Sequence, residues 1–150
     1  MHLILWRHAE AEDGAPDLDR RLTDKGSKQA DAMALWLKPR LPKHWRLLSS
    51  PATRCRQTAL ALSEEFEIVR EIAPGAGYTS VLAAAGWPDA GDTVVLVGHQ
   101  PTLGETAAML LSGQELPWSV RKGSIWWLTH RVRHTESQIV LRAVVSPEML

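Results

Sequence analysis

The chain has a single cysteine in 150 residues, Cys55. No intrachain disulfide can form, and a reducing, cytoplasmic setting is the expectation. Neither sign of charge is in excess: 17 Lys and Arg stand against 17 Asp and Glu. A general nucleic-acid binder carries a basic surplus or stripe, so no nucleic-acid partner is expected. Neutrality overall still permits a small cationic pocket. No apolar run approaches the roughly 18 residues of a membrane span, so no membrane association is expected. The opening MHLILWRHAE does not read as a signal peptide, because its apolar stretch is short and its only basic residue comes after it. There is no internal repeat, no low-complexity tract and no convincing linker; GWPDAGD (Gly86 to Asp92) reads as a loop. One domain spanning 1–150 is the expectation. Nothing in the sequence sets an oligomeric state.

What is present is an alternation of strand-like and helix-like segments. HLILW (His2 to Trp6) is a short apolar strand. In LTDKGSKQADAMALWLKP, Thr23 can cap a helix that Pro39 stops, and Ala30, Met33, Ala34 and Leu37 form one buried stripe. RLLSS (Arg46 to Ser50) is the next strand. PATRCRQTALALSEEF is a helix with Pro51 at its first position and Cys55, Ala59, Leu62 and Phe66 inward. TVVLVG (Thr93 to Gly98) is apolar throughout, which implies a central parallel strand buried on both faces. PTLGETAAMLLSG is a helix with Leu103, Ala107 and Leu110 inward and Gly113 ending it. SIWWLTHRV and QIVLRAVV flank a polar turn and pair as a hairpin. The pattern implies an α/β three-layer sandwich, its mostly parallel central sheet flanked by helices. The seven Trp residues are scattered and read as packing groups.

Three of these strands end in the same way. The first runs into Arg7-His8, the second into Ser50-Pro51 and a helix carrying Arg54, and the third into His99 ahead of another helix. Ligands of open parallel sheets bind beyond the carboxyl ends of the strands. Strands lie about 4.8 Å apart, so if these three are neighbours, Arg7, His8, Arg54 and His99 can converge on one cavity. Helix N-termini would add unpaired N–H groups and positive partial charge. Two guanidiniums and two imidazoles suit a compact, highly charged anion, and phosphate fits best. An imidazole with one nitrogen held by a hydrogen bond and the other free is also a competent nucleophile toward phosphorus.

RHAEAE, LTDKGSKQA, SSPATRCRQTA and VGHQPTL occur in an order that resembles the histidine phosphatase superfamily, and most of all its short SixA-type phosphohistidine phosphatase branch. The resemblance runs from residue 3 to about 113 and implies a phosphoglycerate mutase-like fold. It implies His8 as nucleophile, and Arg7, Arg54 and His99 as the groups that hold the phosphoryl oxygens. The implied reaction is ping-pong: His8 becomes a phosphohistidine that water hydrolyses. Neither a metal nor an organic cofactor is implied. Glu71, in VREIAPG, is the candidate proton donor; its alternative role is a solvated charge near a strand end. Arg20, in DRRLT, matches an arginine often found before this helix in the short branch. It is a candidate substrate-holding group, with a salt bridge to Asp17 or Asp19 as the alternative. Ala9 stands where most of the superfamily has glycine, and its methyl requires φ below zero. Larger relatives build a lid from insertions in the stretch that is short here, Glu64 to Asp92. An open site suits a phosphorylated side chain on a protein, or else a small phosphorylated compound.

Other readings stay beside this one. A small-molecule phosphomonoesterase would use the same residues, and so would a non-catalytic phosphate- or phosphopeptide-binding module. A metal site of His8, Glu10 and His99 has no compact ligand spacing in its favour, and two nearby arginines would repel a divalent cation. His2, His44, His130 and His134 lack motif context and read as structural or exposed.

Overall fold

The computed structural model describes residues 1–150. One sheet contains β1 (His2–Arg7), β2 (Trp45–Ser49), β3 (Glu67–Ile68), β4 (Thr93–Gly98), β5 (Ile125–Arg133) and β6 (Glu136–Val145). Their order across the sheet is β3-β2-β4-β1-β5-β6. The pairs β3-β2, β2-β4 and β4-β1 are parallel; β1-β5 and β5-β6 are antiparallel. Helices α1 (Asp24–Leu37), α2 (Thr53–Leu62), α3 (Tyr78–Ala85) and α4 (Thr102–Ser112) cover the two faces. The mostly parallel three-layer sandwich is therefore the observed architecture.

The period-2 geometry of the strands sorts their residues between two cores. Ile4, Trp6, Leu47, Val95 and Val97 face Met33, Ala34 and Leu37 of α1 and Cys55, Ala59 and Leu62 of α2. Leu3, Leu5, Leu48, Val94 and Leu96 face Val81 and Ala85 of α3 and Leu103 and Ala107 of α4. β4 is buried along its whole length, as a strand with helices on both sides must be. Each fully buried aliphatic side chain contributes roughly 1.5–3 kcal/mol, so the paired cores fix the strand order that positions the site. No helix is long and apolar enough to cross a membrane.

Local signals match at several points. The Thr23 hydroxyl accepts the Gly26 N–H at 2.9 Å and caps α1, and Gly113 ends α4 in the left-handed region at φ 76°. The hairpin turn is tight: Arg133 pairs with Glu136, and both intervening residues, His134 and Thr135, have positive φ, the twist that two-residue hairpins favour. His2 is structural, its Nδ1 lying 2.8 Å from the Thr129 hydroxyl and 3.0 Å from the Trp127 indole nitrogen.

The second helix differs from the sequence expectation at both ends. It starts at Thr53, not Pro51, because the Ser50 hydroxyl accepts the Ala52 N–H at 3.2 Å and holds Ala52 extended as the cap. It stops at Leu62, because Ser63 is extended at φ −159°. Phe66 lies beyond the helix and packs on the core from the following loop. Leu110 is only half-buried. Two elements went unread in the sequence: α3, whose apolar Val81 and Ala85 sit four apart ahead of Gly86, and the two-residue strand β3, which is too short to show a period.

Candidate active site

Trp6 and Ser49 both pair with Val97 of β4. The residues that follow them therefore leave the sheet at one level. Backbone bonds lock this junction: the His8 N–H donates to the Gly98 carbonyl at 3.2 Å, and the Ser50 N–H donates to the Val97 carbonyl at 3.1 Å. The His99 carbonyl accepts the Leu103 N–H at 2.9 Å, so α4 begins directly on it. Arg54 is the second residue of α2. Its side chain leans back toward the helix N-terminus, as helix geometry dictates.

These constraints bring the sequence-predicted groups together. The His8 and His99 rings lie 5.4 Å apart, centroid to centroid. Arg54 Nη2 is 3.4 Å from His99 Nδ1. His8, Arg54 and His99 are buried, and Arg7 is half-buried.

The hydrogen bonds assign a role to each ring nitrogen. His8 Nδ1 lies 2.8 Å from the Ala9 carbonyl. A carbonyl can only accept, so Nδ1 carries the proton in the neutral ring and the lone pair sits on Nε2. Nε2 has no hydrogen-bond partner and is not among the buried unpartnered atoms, so it opens to solvent. Burial lowers the His8 pKa to about 4, against the opposing bond to Ala9, and the Arg54, Arg7 and Arg20 charges depress it further. His99 Nε2 is 2.7 Å from the Ser50 hydroxyl. Burial, then His8 and Arg54, lower its pKa to about 3, against the pull of Asp17. Both imidazoles are therefore neutral near pH 7 in the unliganded protein.

The arginines carry unmet demand. Arg7 Nη1 donates to the Val120 carbonyl at 2.9 Å, but no carboxylate pairs with Arg7. The Nε atoms of Arg7 and Arg54 are both buried without any hydrogen-bond partner. A buried guanidinium nitrogen without a partner is costly, and the site tolerates two of them. No three His, Cys, Asp or Glu side chains cluster in a metal-ligand arrangement.

The Arg20 salt bridge to Asp17 that the sequence allowed is formed, but the sequence did not identify Asp17, Gln57 or Thr58 as supports of the site. Asp17 receives Arg54 twice, at its main-chain carbonyl (2.8 Å) and its carboxylate (3.1 Å). The same carboxylate takes Arg20 Nε at 3.0 Å. Desolvation pushes the Asp17 pKa up, but the hydrogen bonds from Arg54 and Arg20 outweigh it and leave the pKa below the usual carboxylate value. Thr58 accepts the Ala9 N–H at 3.1 Å and donates to the Arg54 carbonyl at 2.8 Å, while Gln57 accepts the Leu22 N–H at 2.8 Å. Gln57 and Thr58 follow Arg54 by three and four residues, the spacing that puts them on its face of α2; that spacing was the available signal. The site loop also sits against α1 so closely that a Cβ on Gly26 would collide with the Glu10 carbonyl. Cys55 Sγ lies 3.4 Å from His99 Nε2. Burial pushes its thiol pKa up to about 12, so Cys55 is a packing group and not a nucleophile.

Two candidates make no direct hydrogen bond to the four. Glu71 is exposed in a 3-10 turn, Arg70–Ile72, just beyond β3 at the sheet edge, and no hydrogen bond or ion pair joins it to them. Arg20 bonds Asp17 and the Glu12 carbonyl, so it reaches Arg54 only through Asp17. Ala9 is fully buried, and His134 and Thr135 are the only non-glycine residues with positive φ, so its methyl is accommodated without backbone strain.

Comparison with known proteins places the chain in a family. Positions 3–75 match the model of the histidine phosphatase superfamily (branch 1). The chain is 39% identical over 125 residues to an uncharacterized protein of Picosynechococcus sp., spanning 76% of this chain and 75% of that one. It is 31% identical over 126 residues to phosphohistidine phosphatase SixA of Escherichia coli, spanning 78% of each. A solved structure of the protein histidine phosphatase SixA complexed with tungstate matches with a TM-score of 0.81 at 26% identity, over 99% of both chains.

Proposed function

This chain belongs to the histidine phosphatase superfamily, in its SixA-type branch, and from that premise we propose that it hydrolyses protein phosphohistidine through a covalent intermediate on His8. One observation carries the reading. A neutral imidazole with its Nδ1 proton held and its Nε2 open to solvent shares the site with His99 and the Arg54 guanidinium, and no carboxylate pairs with the neighbouring Arg7. A nucleophile beside guanidinium donors suits an oxyanion.

In the first step His8 Nε2 attacks phosphorus in line. The new N–P bond forms as the bond from phosphorus to the leaving nitrogen breaks; that nitrogen keeps the electron pair, and the substrate ring, already protonated at its other nitrogen, departs as neutral imidazole. The Nδ1–H stays on the Ala9 carbonyl, which stabilises the positive charge that His8 gains. Arg7 and Arg54 bind the equatorial oxygens and neutralise charge in the transition state. A bound dianion raises the His99 pKa and favours its protonated, donating form. Water then attacks phosphorus, releasing phosphate and free His8.

The choice of a phosphorylated protein rests on the similarity to Escherichia coli SixA and on leaving-group chemistry. A protonated imidazole departs more readily than an alkoxide, so the reaction asks little of a general acid. Glu71 is the proposed donor where a poorer leaving group needs one.

Rapid mixing with a phosphohistidine peptide tests the proposal. Wild type should release phosphate and accumulate an acid-labile, base-stable phosphoenzyme, and His8→Ala should show neither. Full activity in His8→Ala would remove the nucleophile assignment. Tight phosphate binding without turnover in wild type would favour the binding-module reading.

A further inference from the structure

A groove of about 700 Å³ opens beside Arg7, lined among others by Glu10, Lys25, Gln100, Arg121, Lys122 and Glu148. It adjoins the catalytic cavity through the chain itself: Arg7 and Glu10 bracket His8, and Gln100 follows His99. A metabolite pocket is mostly apolar with a few placed polar groups. This groove is the reverse, with four basic and two acidic side chains among its lining. The two acids offset only half of the four bases: Glu148 is taken by Arg121 at 3.0 Å, and Glu10, bonded by the neutral Thr23 hydroxyl at 2.8 Å, forms no ion pair with either lysine. Lys25 and Lys122 are exposed and form no ion pair. In a chain with no net charge, this is a local concentration of unpaired positive charge at the mouth of the site.

We infer that the groove receives an acidic stretch of the phosphorylated protein, flanking the phosphorylated residue, with Lys25 and Lys122 as its recognition charges. The inference rests on the phosphatase reading above and adds a substrate class to it. The phosphoryl group goes to His8, Arg54 and His99, none of which lines the groove, so the groove is left for neighbouring substrate groups. Exposed cations at the rim act chiefly on encounter rate and partner choice, and their effect falls with salt. Polar, wet walls suit a polypeptide docked transiently, as repeated turnover requires.

The test uses the full chain and two phosphohistidine peptides, one with Asp and Glu flanks and one with neutral flanks, beside a small aryl phosphate. Wild type should prefer the acidic peptide by about five- to tenfold in kcat/KM at low salt, the scale of two exposed ion pairs, and lose the preference as salt rises. Lys25→Ala/Lys122→Ala should abolish the preference and leave the aryl phosphate rate within about twofold. Equal kcat/KM for the two peptides in wild type, or an equal loss on all three substrates in the variant, overturns the inference. Binding of the unphosphorylated acidic peptide, read by fluorescence anisotropy, provides an arm independent of turnover. If no substrate is hydrolysed, the phosphatase reading fails, and binding lost in the double variant still supports the groove. Competition by an oligonucleotide as strong as by the acidic peptide would replace the inference with a nucleic-acid surface.

Discussion

Both terminal nitrogens of Arg54 rest on Asp17, Nη1 on its main-chain carbonyl at 2.8 Å and Nη2 on its carboxylate at 3.1 Å. The guanidinium is thereby held at a fixed angle to His99 with its Nε unpartnered. Arg54→Ala should lower turnover about a thousandfold, the range seen when an arginine stabilises transferring phosphoryl oxygens. Asp17→Ala should cost less, about 10- to 100-fold, because the main-chain contact survives. Steady-state kinetics on one phosphohistidine peptide ranks the two; an Asp17→Ala loss as large as that of Arg54→Ala would mean Asp17 acts directly.

Thr58 joins the nucleophile loop to the arginine helix, accepting from Ala9 and donating to Arg54. Thr58→Val keeps the shape and removes both bonds, leaving the Ala9 N–H buried without a partner. Urea unfolding should show a loss of about 1–3 kcal/mol. Turnover should fall as well, because the Ala9 carbonyl that orients His8 shares that loop. Unchanged stability would show that the bond to Ala9 contributes nothing net.

Glu71 is exposed beyond the end of β3. As a proton donor it matters in proportion to the basicity of the leaving group. Glu71→Gln should leave phosphohistidine turnover within about twofold and slow alkyl phosphate hydrolysis about 100-fold. Equal rates for wild type and variant on both substrates would return Glu71 to the surface.

Acid should destabilise the fold through the buried imidazoles. The pKa values of His8 and His99 are lowered from 6.5 to about 4 and about 3. Below pH 6.5 the unfolded chain takes up protons that the folded state refuses, so stability is full above that pH and falls as pH drops toward the folded values. Two such groups give a slope approaching roughly 2–3 kcal/mol per pH unit near pH 5. Urea titrations across that range should show it, and His8→Phe should halve it. A flat profile would mean that the rings are hydrated and ionise normally.

Five of the six strands, three of the four helices and the strand ends that carry Arg7, His8, Arg54 and His99 were legible in the sequence, because they depend on short-range rules; α3 and β3 were not. An apolar run entering Arg7-His8, a capped helix after Thr23 and a fully apolar TVVLVG strand each carry their signal within a few residues. Their motif order also carried the family. The bounds of α2 depended on the Ser50 hydroxyl bonding two residues ahead and on the extended Ser63, and helix propensity shows neither.

Short-range patterns were enough to set Arg7, His8, Arg54 and His99 at or just beyond strand ends. How those side chains are held depends on contacts between distant segments. Asp17 meets Arg54 across 37 residues, Thr58 meets Ala9 across 49, and Ser50 meets His99 across 49. Contacts at such separations exist only once two cores have fixed the strand order, and burial by those same cores is what lowers the pKa of each imidazole and leaves the two arginine Nε atoms without partners.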